Sequence, residues 1–111
     1  MTMNKRQRDD VSILDLKGRL TIGLGDEALR TAVGELVEGG HLKIIVNLAE
    51  VTAMDSSGVG ELVSCYTRVT NRGGKLKLEN LPPKIQDLLQ ITQLITVFEV
   101  FDNEDAAVTS F

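Results

Sequence analysis

The run Leu42-Lys43-Ile44-Ile45-Val46-Asn47-Leu48 leads into Met54-Asp55-Ser56-Ser57-Gly58-Val59-Gly60, and that segment into a stripe of Val59, Leu62, Val63, Tyr66 and Val69. This succession decides the architecture. The first run is short, β-branched and nearly continuous in apolar residues, as a central strand covered on both faces requires. The stripe repeats at intervals of three and four, which marks the buried side of an amphipathic helix over Val59 to Val69. Between them, an acidic residue, two hydroxyls and two glycines fall in a strand-to-helix turn. The first N–H groups of a helix lack intrahelical partners there and carry the positive end of its dipole. Such a position favours a phosphate, either on a ligand or attached to a side chain. A hydroxyl presented there can be a nucleophile, a cap or a phosphorylation site.

On the N-terminal side, Asp9-Asp10 reads as a tight turn between an edge strand near Met3–Arg8 and a strand near Val11–Lys17. Lys5, Arg6 and Arg8 are then solvated charges that guard an open sheet edge. A loop from Gly18 to Gly25 follows, and Asp26 is expected to cap a helix with Leu29, Ala32, Val33, Leu36 and Val37 inward. Gly39-Gly40 ends that helix. On the C-terminal side, Gly73-Gly74 ends the second helix, and Lys75–Glu79 is a strand whose Leu76 and Leu78 alternate with charged residues. Pro82-Pro83 opens a third helix with Ile85, Leu88 and Leu89 inward. Val97–Phe101 reads as the last strand, and Asn103 as the cap of a short final helix bearing Ala107, Val108 and Phe111.

Strands and helices alternate after the first hairpin, so the fold class is α/β. The expected sheet is mixed and mostly parallel, with about five strands, an antiparallel N-terminal edge strand and about four helices. The chain of 111 residues reads as a single domain, 1–111. The loops at the carboxyl ends of the strands gather at one sheet edge, where α/β folds place their sites. Asp55–Gly60, Ile22–Gly25 and Asn80–Pro82 belong to that edge.

Composition narrows the function. Apolar residues make up 42% and charged residues 25%, as in ordinary soluble domains. No apolar run is long enough to span a bilayer, and MTMNKRQRDD has no signal-peptide core, so a cytoplasmic protein without membrane insertion is expected. A net charge of −4, no Trp, one Tyr and three Phe argue against nucleic-acid binding. Cys65 is the only cysteine and reads as a packed thiol. His41 is the only histidine, so neither a metal site nor a histidine-based triad has support, and no cofactor is implied.

Three readings of the Asp55–Gly60 turn compete. As an enzyme, Ser56 or Ser57 needs a general base, and His41 should lie at the opposite end of the sheet. Gly-x-Ser-x-Gly, a Walker loop and Gly-x-Gly-x-x-Gly are all absent. As a receiver domain, Asp55 needs further carboxylates beyond the first parallel strand to hold magnesium. Asp9 and Asp10 precede that strand instead, and its exit, Lys17-Gly18-Arg19, is basic. The third reading makes a serine the substrate: a phosphate adds roughly −1.5 to −2 charges where a helix end tolerates them. Beside it stands the plain reading of a capping serine, with glycines that let helix and sheet pack closely.

Asp55-Ser56-Ser57-Gly58-Val59-Gly60 resembles the signature of the STAS domain, specifically of bacterial anti-sigma-factor antagonists. Gly18-Arg19-Leu20, Ile45-Val46-Asn47-Leu48, Gly73-Gly74-Lys75-Leu76-Lys77-Leu78 and Leu88-Leu89-Gln90-Ile91-Thr92-Gln93-Leu94 extend the resemblance from Val11 to Phe101. It implies a non-enzymatic switch in which the serine after the aspartate, here Ser56, is phosphorylated by an anti-sigma-factor serine kinase. The unphosphorylated form binds that kinase and releases the sigma factor, phosphorylation breaks the complex, and a serine phosphatase resets it. Asp55, Ser57, Gly58, Gly60, Thr21, Ile22 and Gly23 then form the partner surface. Gly58 is expected to serve docking as well as folding, so that Gly58→Val slows phosphorylation more than it lowers stability. The loop Thr21-Ile22-Gly23-Leu24-Gly25-Asp26 departs from the family pattern, in which an acidic residue precedes a small-residue helix start. The family also contains subunits of lipid-transport ABC complexes and of stress-signalling assemblies, which are the alternative for this chain.

Overall fold

The strand that begins at Lys43 runs on to Met54, well past the apolar run that identifies it. This computed structural model describes all residues, 1–111. In chain order the elements are β1 (Thr2–Arg8), β2 (Val11–Leu20), α1 (Leu24–Glu38), β3 (Lys43–Met54), α2 (Ser56–Asn71), β4 (Lys75–Glu79), α3 (Pro83–Ile91), a 3-10 turn (Leu94–Thr96), β5 (Val100–Phe101) and α4 (Glu104–Thr109). The five strands form one sheet in the order β1-β2-β3-β4-β5, with β1 antiparallel to β2 and the remaining pairs parallel.

β3 is the central strand, and side-chain alternation explains both of its faces. Ile44, Val46 and Leu48 join the larger core with Leu29, Val33, Leu62, Val69, Ile85 and Leu89 from the helices α1, α2 and α3. Ile45 points the other way and packs with Val11, Ile13 and Ala107, the last from α4. The sheet therefore lies between three helices on one side and a short helix on the other. β4 pairs with β3 only from Lys43↔Lys75 to Asn47↔Glu79, so beyond Asn47 the strand is held by β2 alone. There it reads Ala49-Glu50-Val51-Thr52-Ala53, with only Val51 buried.

Several expectations change. β2 continues to Leu20 because register shifts after Asp15 and Gly18, the latter at φ 109, let a bulged strand follow β3. The cap of α1 is Gly23, not Asp26, since the helix starts at Leu24. Asp26 is buried in the first turn, with its Oδ1 accepting from the N–H of Glu27 at 2.8 Å. β5 shrinks to Val100–Phe101: Val97 caps the 3-10 turn and Phe98 turns into the larger core edge-on to Tyr66, so pairing with β4 begins at Val100. Lys77 does not alternate into solvent: it is 2% exposed. Its Nζ donates to the Ser110 hydroxyl at 2.8 Å, pairs with Glu99 at 3.0 Å and lies 4.5 Å from the centre of the Phe111 ring.

The charges of β1 are likewise engaged rather than free. Lys5 pairs with Glu35 of α1, while Arg6 reaches the opposite face. There its Nη2 donates to Asp15 Oδ1 at 2.9 Å and to Glu104 Oε1 at 2.6 Å. Arg8 donates to Glu104 and to Asp105. The edge strand thereby clamps α4, whose cap is the expected Asn103, accepting from the N–H of Ala106 at 3.0 Å.

Candidate functional site

Asp55 follows β3 directly, in extended backbone with φ −105 and ψ −176, and caps α2. Its Oδ1 accepts from the N–H of Gly58 at 2.9 Å, and its Oδ2 accepts from the N–H of Ile22 at 3.0 Å. One carboxylate thus ties the start of α2 to the loop between β2 and α1. The Ile22 and Gly58 N–H groups hold the carboxyl below the usual aspartate range. Its folded pKa is lowered, so the contribution of this tie is present at neutral pH and is lost as pH falls through that value. Asp55→Ala should therefore loosen both α2 and the loop, read as faster amide exchange at Ile22 and Gly58, and the wild type should reproduce the effect in acid.

Because the aspartate is the cap, neither serine has that task. Ser56 is the first residue of α2 and is exposed, while Ser57 is half-buried. The two glycines differ. A Cβ on Gly58 would stand 2.1 Å from the Leu20 carbonyl oxygen and 3.0 Å from Met54 Cγ. Gly58 is therefore required where α2 meets the end of β2, and Gly58→Val cannot spare the fold as the sequence reading expects. At Gly60 a Cβ would meet nothing within 4 Å. Its lack of a side chain has no explanation in packing.

The neighbouring loop presents apolar side chains to solvent. Ile22 is 73% exposed and Leu24 82%, on either side of Gly23 at φ 99. Thr21 is half-buried, and its carbonyl accepts from the N–H of Asp26 at 3.1 Å. Leu24 was absent from the sequence-derived surface. Its signal was legible: it sits five residues before Leu29, off the buried stripe of α1 and between two glycines.

The structure separates the other candidate chemistries from this edge. His41 precedes β3, whereas Ser56 follows it, so the two lie at opposite ends of a twelve-residue strand. Asp10 pairs with Lys43 at the beginning of β3, which places the Asp9-Asp10 turn at the far end from Asp55. Cys65 is buried under the helices; burial first, then Glu61, pushes its thiol up to about 12. Buried Glu61 also pairs with the exposed Arg30 of α1 at 2.8 Å, a link between helices that the apolar stripe gave no reason to expect. The cavities of the chain lie elsewhere, and none is lined by a residue from 20 to 25 or from 54 to 60. The edge that carries Ser56 is an open surface from which Ile22 and Leu24 project.

Known proteins share this fold. The chain is 30% identical over 105 residues to the anti-sigma-B factor antagonist of Bacillus subtilis strain 168, covering 94% of this chain and 93% of that one. The crystal structure of a Thermotoga maritima protein, provisionally assigned as an anti-sigma factor antagonist, superposes with a TM-score of 0.90 at 25% identity. That match covers 97% of this chain and 92% of the other. The phosphorylated form of SpoIIAA, a Bacillus cell fate determinant, has the same fold, with a TM-score of 0.77 at 22% identity over 98% of each chain. The STAS domain model matches residues 2–107. The chain belongs to the STAS domain family.

Proposed function

We propose that this chain is an anti-sigma-factor antagonist, a cytoplasmic non-enzymatic switch whose binding to an anti-sigma-factor serine kinase is broken by phosphorylation of Ser56. The observation that carries the proposal is the division of labour at the start of α2. Asp55 supplies the cap, which leaves an exposed hydroxyl at the first helical position with no structural duty. A phosphate there gains from the helix dipole, so the fold persists while the surface acquires roughly −1.5 to −2 charges. A partner that desolvates this surface meets a hydrated dianion beside Asp55 and leaves. A serine phosphatase restores the binding form. The similarity to the Bacillus subtilis antagonist supports the same role.

On this reading Asp55, Ser57, Thr21, Ile22, Gly23 and Gly60 line the docking surface, Leu24 extends it, and Gly58 supports it from beneath. Two variants separate docking from folding. Gly60→Ala adds a methyl to open space on a helix, so it should raise stability by roughly 0.5–1 kcal/mol while weakening the kinase complex. Leu24→Asp removes an apolar side chain from the surface but places a carboxylate in a first helical turn, where it is tolerated. It should weaken kinase binding at least tenfold, since burying a leucine contributes about 1.5–3 kcal/mol, with little change in Tm. Mixing the chain with the sigma-regulating kinase and its sigma factor tests the function itself. Release of sigma by the unphosphorylated chain, and not after treatment with ATP, is the expected result. A chain that binds the kinase in neither state, or an ABC ATPase instead, contradicts it.

A further inference from the structure

Glu79, the last residue of β4, lies on the sheet face opposite the Ser56-bearing helix and has no measurable exposure. Neither of its carboxylate oxygens has a hydrogen-bond donor. The side chain beside it is another carboxylate, Glu104, at the start of α4. The donors that could neutralise the pair are committed elsewhere. Arg6 of β1 divides its guanidinium between Asp15 of β2 and Glu104, and Arg8 between Glu104 and Asp105. Asn47 of β3 donates to Asp15, and Asn80 donates to Asn47. Lys77, two residues earlier on the same strand face, is held by Ser110 and Glu99. A buried carboxylate that faces a second carboxylate and lacks every donor is untenable as an ion, but as a carboxylic acid it donates to its neighbour and leaves only one uncharged oxygen unpartnered.

We propose that Glu79 carries a proton at neutral pH and donates it to Glu104, so that a shared proton latches α4 to the back of the sheet and its loss loosens the helix. The latch holds the cover of a second apolar surface. Ala107 of α4 closes over Val11, Ile13 and Ile45, and Val108 and Phe111 pack against the same group. The physical causes agree with the geometry. Burial first, then Glu104, raises the Glu79 pKa, while Arg6 foremost lowers that of Glu104. The closed latch therefore binds a proton that the open one releases. Opening is hardest in the ordinary glutamate range, becomes easier as pH rises above it until Glu79 ionises in the closed state, and becomes easier again in stronger acid, where opening lets Glu104 take up a proton.

The test is a titration of the full chain. The side-chain carboxyl carbon of Glu79, followed by NMR, should remain protonated at pH 7. The opening constant from hydrogen exchange at the Ala107 amide, corrected for intrinsic exchange, should rise by up to about tenfold per pH unit between pH 5 and 7. In E79Q the amide donates to Glu104 permanently, and that rise should vanish. Should E79Q fail to fold, E104Q provides the second arm: its amide donates to an ionised Glu79, whose titration should return toward the ordinary glutamate range. Glu79 ionised at pH 7 in the wild type overturns the proposal. So does an unchanged pH dependence at Ala107 in E79Q, or an unmoved Glu79 titration in E104Q.

Discussion

Ser56→Asp should weaken the complex with the anti-sigma-factor kinase by about 2–5 kcal/mol, roughly thirtyfold or more in Kd. The substitution puts a fixed charge on an exposed position next to Asp55, whose own carboxylate is already saturated by the N–H groups of Ile22 and Gly58. In the complex the new carboxylate must shed its water beside the Asp55 charge. Stability should hardly change, because Asp55 and not Ser56 caps α2 and an acidic residue at the first helical position suits the dipole. Calorimetric titration of the kinase with wild type and variant measures the difference. Equal affinities would mean that charge at this position is not what separates the partners.

Gly58→Ala should have the largest effect on folding of any single methyl added to this edge. The obstacle is backbone: a Cβ would stand 2.1 Å from the Leu20 carbonyl oxygen, which ends β2 and cannot turn aside as a side chain can. The start of α2 must lift from the sheet, and the Asp55 bonds to Gly58 and Ile22 stretch with it. The cost is at least about 1–3 kcal/mol, a fall in Tm on the order of 10 °C. Gly60→Ala, two residues on and in open space, is the control that should move Tm upward. Thermal melts of the pair decide the point; a Gly58→Ala variant as stable as the wild type would show that helix and strand approach less closely than described.

The architecture was legible where burial on both faces writes a continuous signal. Ile44-Ile45-Val46 announced the central strand, and the stripe from Val59 to Val69 announced α2, because those residues satisfy tertiary packing and local periodicity together. The extension of β3 to Met54 was hidden, since a segment paired on one side only has little apolar surface to bury. Lys77 and Glu79 misled for a different reason. A charged residue in a strand normally marks solvent, but α4 folds over this face and supplies partners from residues 104 to 111, far along the chain. The sequence contained the helix and its cap, Asn103, and nothing that said which side of the sheet it covers.

The candidate edge was legible as a turn and ambiguous as chemistry. An aspartate followed by two serines offers three possible caps, and only geometry shows that Asp55 takes the task and also reaches across to Ile22. The two glycines looked equivalent in sequence, yet one lies against a carbonyl and the other faces open space. Leu24 escaped notice because helix patterns are read for what they bury, and this residue begins a helix while pointing outward.

Phosphopeptide mapping after incubation with the cognate kinase and ATP tests the central claim most directly. The wild type should carry its phosphate on Ser56 alone, and Ser56→Ala should accept none while retaining the fold and the kinase complex. Phosphate on Ser57, or an unmodified chain in the presence of a kinase that binds it, would contradict the account.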